Sequence, residues 1–116
     1  MQYEMKIEEV SNIGRKLHFT VASNEVQVEL EKAYKDLMHK VRMPGFRPGK
    51  VPRKMIEARY GLQVKGEVSG KLIEAAYREA VQKLPVAGRP EVVDQGDVRG
   101  DTELTFSIAV DFRPEV

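Results

Sequence analysis

The residues that most often carry catalysis are few in this chain and scattered. It has no cysteine and two histidines, His18 and His39. That excludes disulfides, thiolate nucleophiles and Cys-based zinc sites, and leaves too few imidazoles for a multi-His metal centre. Ser11, Ser23, Ser69 and Ser107 fall in turn, cap, helix and strand contexts, and none stands in a Gly-x-Ser-x-Gly elbow. Gly45-Phe46-Arg47-Pro48-Gly49-Lys50 superficially resembles a phosphate loop. It is one spacer short, and Val51 stands where Ser or Thr would hold magnesium. Pro48 also removes an N–H that a phosphate nest requires. No catalytic, cofactor-binding or metal-binding residue is expected.

The same segment suits binding better than catalysis. From Lys40 to Tyr60 seven cations (Lys40, Arg42, Arg47, Lys50, Arg53, Lys54 and Arg59) face one anion, Glu57, in a chain of formal net charge +1. From Glu91 to Glu103 the balance reverses, with Glu91, Asp94, Asp97, Asp101 and Glu103 against Arg99. Such asymmetry points to a basic patch that meets a polyanion or an acidic partner. At its centre Phe46 sits among glycines and prolines beside Arg47 and Lys50. A loop phenylalanine either folds back into the core, adding roughly 1.5–3 kcal/mol, or stands out as an anchor. An aromatic next to arginine is the usual composition of an interface hot spot.

The run Val41-Arg42-Met43-Pro44-Gly45-Phe46-Arg47-Pro48-Gly49-Lys50-Val51-Pro52 resembles the signature of bacterial trigger factor, and Ile56-Glu57-Ala58-Arg59-Tyr60-Gly61 resembles that family's next helix. The resemblance covers the whole chain, residues 1–116, as a single domain: the family's N-terminal ribosome-binding domain. It implies a loop at the tip of a helical hairpin, docking on the large ribosomal subunit. The contacts would be to a protein beside the exit tunnel and to adjacent ribosomal RNA, so that nascent polypeptides are received. The docking residues it implies are Gly45, Phe46, Arg47, Pro48, Gly49, Lys50 and Pro52, with Arg42, Arg53 and Lys54 as a supporting basic patch. Pro48 departs from the lysine frequent in the family at that position. The family's peptidyl-prolyl isomerase and peptide-binding parts would follow Val116, so no isomerase activity is expected of this stretch. A different reading keeps the basic loop and Arg53, Lys54 and Arg59 as a direct RNA-binding surface.

The elements that must position the loop follow from periodicity. Tyr3, Met5 and Ile7, then Leu17, Phe19 and Val21, alternate with polar residues around Ser11-Asn12-Ile13-Gly14. That is a β-hairpin, with Gly14 expected at positive φ and His18 exposed and idle on the polar side. Ser23 is the expected N-cap of a helix to about Val41, carrying Val26, Leu30, Ala33, Tyr34, Leu37 and Met38 on one stripe. Glu31–Lys35 and Asp36–Lys40 are favourable pairs along it. Pro44 stops it. A short helix is expected from Pro52 to Tyr60, closed by Gly61, and a third from about Val64 to Leu84, closed by Pro85. Glu91 to Asp94 reads as a short strand, and Leu104, Phe106, Ile108, Val110 and Phe112 as a strong one.

The order β-β-α-α-α-β-β predicts an α+β, two-layer fold, with helices on one face of an antiparallel sheet; the helical hairpin carrying a tip loop is what the resemblance implies. Its 116 residues suit one domain, and 41% hydrophobic with 32% charged residues suits a globular one. There is no apolar run of membrane-spanning length and no signal-peptide core, so a cytoplasmic location without membrane contact is expected. A monomer or weak homodimer without cofactor is expected too. The ending at Arg113-Pro114-Glu115-Val116, straight after a strand, reads as a cut in a longer protein.

Overall fold

A computed structural model describes residues 1–99 and 102–114. Gly100, Asp101 of the acidic run, and Glu115 and Val116 at the chain end lie outside the described residues. The chain runs β1 (Tyr3–Glu9), β2 (Gly14–Val21), α1 (Ser23–Lys40), α2 (Arg53–Val81), β3 (Val86–Asp94) and β4 (Leu104–Phe112). The fold is α+β, with four antiparallel strands in the order β1-β2-β4-β3.

Alternation does what the sequence predicts in the two central strands. Leu17, Phe19 and Val21 of β2 and Leu104, Phe106, Ile108 and Val110 of β4 are all buried. The register sets Phe19 opposite Phe106, and their rings stack with centroids 4.8 Å apart. The other sheet face is polar, but His18 is not idle there. Its Nδ1 lies 2.7 Å from Ser107 Oγ and its Nε2 2.8 Å from Glu8 Oε1, because the register sets Lys6, His18 and Ser107 side by side. Side chains adjacent across strands are close enough to bond, which a single strand's pattern does not reveal.

Several expected boundaries are corrected. The two helices expected after the loop are one helix of 29 residues, about 43 Å long. Ile56, Tyr60, Val64, Val68, Leu72, Ala76 and Ala80 recur every fourth residue, and all belong to the core or pack against it. Continuous burial therefore overrides Gly61, which stays helical with room for a Cβ 3.7 Å from Tyr34 Oη. Each step of four turns the stripe about 40° around the helix. A winding stripe lets one helix serve both α1 and β2, each of which it contacts.

The order is thus β-β-α-α-β-β, and α2 ends at Val81 rather than Leu84. Ala22, not Ser23, is the N-cap of α1, without a side-chain cap; instead Gln2 N–H is held by Glu25 Oε1 at 3.1 Å. Gly14 has no positive φ; it opens β2 and donates its N–H to Ser11 Oγ. The strand expected over Glu91 to Asp94 begins at Val86 and passes Gly88 and Pro90 by shifting register against β4. Pro90 is tolerated because β3 is a sheet edge.

Candidate functional site

The segment 41–52 joining α1 to α2 is anchored from within. Val41, Met43 and Val51 are buried in the core cluster, which fixes both ends of the loop. Between them lie two consecutive turns. The Phe46 N–H donates to the Met43 carbonyl at 3.2 Å, and the Lys50 N–H donates to the Arg47 carbonyl at 2.9 Å. Each spans a Pro-Gly pair, Pro44-Gly45 and Pro48-Gly49, with φ of +89° at Gly45 and +81° at Gly49. Proline at the second position, glycine at positive φ in the third and a bond closing the fourth residue onto the first define a type II turn. Pro48 therefore has a backbone role: it sets the second turn.

Phe46 and Arg47 stand where one turn hands over to the next. Phe46 is 38% exposed and is not in the core cluster. Arg42, Arg47, Lys50 and Lys54 are exposed, and no ion pair joins any of them to a carboxylate among the described residues. Pro52 is the N-cap of α2, a place its missing N–H suits, and its carbonyl accepts from Met55 and Ile56. Of the predicted site, Gly45, Phe46, Arg47, Pro48, Gly49, Lys50 and Pro52 fall in this one segment. Arg42 lies in the same segment, and Lys54 follows it in the first turn of α2.

Arg53 differs from the rest of the predicted patch. Its Nη1 and Nη2 reach the two carboxylate oxygens of Glu31 at 2.6 and 2.7 Å, and its Nε reaches Glu57 Oε1 at 2.7 Å. Its guanidinium carbon also lies 5.0 Å from the centroid of the Tyr34 ring. The Arg53 hydrogen bonds hold the Glu31 carboxyl below the usual carboxylate range, and the two carboxylates push the guanidinium further up. Burial pushes the Tyr34 hydroxyl up, with Glu57 acting in the same sense and Arg53 against it. Sequence reasoning missed Glu31 and Tyr34 as neighbours of this site, placing Glu31 with Lys35 and Tyr34 simply in the core. Only the i,i+4 spacing of Arg53 and Glu57 carried a local signal.

Comparison with known proteins bears on the whole chain. Residues 3–116 match the family model described as "Bacterial trigger factor protein (TF)". A trigger factor of Syntrophotalea carbinolica is 35% identical over 114 residues, covering 97% of this chain and 26% of the relative. One of Thioalkalivibrio sulfidiphilus is 38% identical over 115 residues, with the same two shares, 97% and 26%. The chain thus spans about a quarter of the length of the curated relatives it matches. A solved chain described as "Promiscuous Substrate Recognition in Folding and Assembly Activities of the Trigger Factor Chaperone" shares the fold, with a TM-score of 0.68 at 19% identity over 96% of this chain and 27% of that one. The match is to the N-terminal part of the full-length relatives, whose isomerase domain lies elsewhere. This chain belongs to the bacterial trigger factor family of chaperones.

Proposed function

We propose that this chain is the ribosome-docking module of a cytoplasmic co-translational chaperone. Segment 41–52 then meets the large subunit beside the exit tunnel, through the tunnel-exit protein and adjacent ribosomal RNA, and so places the chaperone where nascent chains emerge. The observation that carries this reading is the display of Phe46 and Arg47 between two Pro-Gly turns, on a loop whose ends are buried. A preset loop loses little conformational entropy on docking, and an aromatic with an arginine is what interface centres use.

Ribosome co-sedimentation with denaturant melts tests it. Phe46→Ala should weaken binding by ~2 kcal/mol or more, as a hot-spot truncation does, while costing the fold within about 0.5 kcal/mol. Arg47→Ala should act likewise, and Arg47→Lys should restore it only in part where the guanidinium makes a planar, two-pronged contact. A Phe46→Ala protein that sediments at full strength refutes the docking loop. The exposed cations Arg42, Arg47, Lys50 and Lys54, without an ion pair among the described residues, favour a second reading, direct binding of RNA. That reading requires tight binding of naked RNA, with log affinity falling steeply against log salt.

A further inference from the structure

In the sequence Arg53 looks like one more cation of the basic segment. In the structure its charge is already engaged. Its Nε and both Nη atoms are bound by Glu31 and Glu57, and its central carbon lies over the Tyr34 ring. One cation held by two carboxylates makes a cluster of net charge −1, which a polyanion would not seek. What the cluster does is mechanical. Glu31 lies within α1 and Arg53 is the first residue of α2, and the bond between them spans 22 residues. That span encloses the whole of segment 41–52.

We propose that Arg53, held by Glu31, Glu57 and Tyr34, is a positioning residue that clamps the start of α2 to α1 and thereby presets the tip loop. It does not itself contact the partner. The two-pronged geometry matters because a forked guanidinium fixes orientation as well as distance. The loop's own backbone bonds between α1 and α2 are the two turn bonds, the closing Val41 N–H to the Leu37 carbonyl, and the start of α2 at Pro52. They shape each turn without tying one helix to the other. The clamp supplies that tie from the side-chain level, alongside the buried anchors Val41, Met43 and Val51. This inference rests on the docking role proposed above for its consequence, but not for its structural content.

Glu31→Gln separates the two roles by sign. If Arg53 were a contact cation, removing its main anion would free it, make the surface more positive and tighten ribosome binding. For a positioning residue the same change loosens the loop and weakens binding. The experiment compares the whole chain with its Glu31→Gln, Arg53→Lys and Phe46→Ala variants by ribosome co-sedimentation, and by amide hydrogen exchange at Phe46 and Lys50, the donors of the two turns. Exchange at both amides should rise about two- to fivefold in Glu31→Gln and Arg53→Lys, the range of an exposed ion pair. Docking should fall by a similar factor. The double variant should be no worse than the poorer single one, since the pair acts as a unit.

Unchanged exchange overturns the clamp, whatever docking does. Faster exchange with docking tightened or unchanged overturns its positioning role, provided Phe46→Ala abolishes docking. If Phe46→Ala docks normally, the docking reading fails instead, and the exchange arm alone still decides the clamp. Should either variant melt early, Glu57→Gln, which removes only the Nε arm, replaces it in both arms.

Discussion

Phe46 and Arg47 attract attention by their chemistry, yet the residues least replaceable around them are the flanking glycines. A Cβ at Gly45 or Gly49 would have no atom within 4 Å, so a methyl group would meet no obstacle. Their positive φ is the constraint: an L-residue there costs about 1–2 kcal/mol. Gly49→Ala should therefore speed exchange of the Lys50 amide and weaken docking while leaving the melting of the core nearly unchanged. Unaltered exchange would show that the second turn tolerates a side chain. At the same scale the clamp has a pH signature. The Glu31 carboxyl is depressed by Arg53 in the folded chain, so its contribution is present above the unfolded value and is lost as pH falls through the folded one. Opening of the Phe46 and Lys50 amides, corrected for intrinsic exchange, should rise below the ordinary carboxylate range. In Glu31→Gln that rise should vanish; its persistence would assign it to another group.

At the scale of elements, α2 shows how a local stop signal is overruled. Gly61 after Tyr60 satisfies every local criterion for a helix end, and Gly66 and Gly70 weaken the turns beyond it. None of these takes positive φ, because a stripe recurring every four residues from Ile56 to Ala80 is buried only if the helix is unbroken. Helical stability in a folded protein comes chiefly from such packing, not from propensity. The glycines thus remain as a removable cost. Gly66 and Gly70 are exposed, and a Cβ at either meets nothing within 4 Å. Gly66→Ala and Gly70→Ala should each stabilise the chain by about 0.5–1 kcal/mol, raising the denaturant midpoint without changing the slope. A lower midpoint at either would mean that the helix needs to bend there. The same logic explains the strands. β2 and β4 were legible because each buries one face, whereas of β3 only Glu91 to Asp94 was legible, and pairing with β4 carries it back past Pro90 and Gly88 to Val86.

The whole molecule is elongated, 65 × 23 × 20 Å, with the sheet and the helical hairpin joined through α2. Because one core cluster runs from Val41 and Ile56 to Phe106 and Val110, hairpin and sheet should unfold together. Leu72→Ala, deep in α2, should cost about 2–5 kcal/mol and shift helical and aromatic signals by the same amount. Two separated transitions would show that the hairpin melts alone. Local pattern was enough for the α+β class, the β1–β2 hairpin, the first helix and the single segment that holds Gly45, Gly49, Phe46, Arg47 and Lys50. Those come from periods of two and about 3.6 residues and from the local demands of Pro and Gly, which need no knowledge of distant partners. Only the tertiary structure decided that α2 is one helix, that His18 bonds to Ser107 and Glu8, and that Arg53 belongs to Glu31. Each of these depends on residues far apart in the chain, and a side chain's partner is set by which surfaces the core brings together, not by its neighbours in sequence.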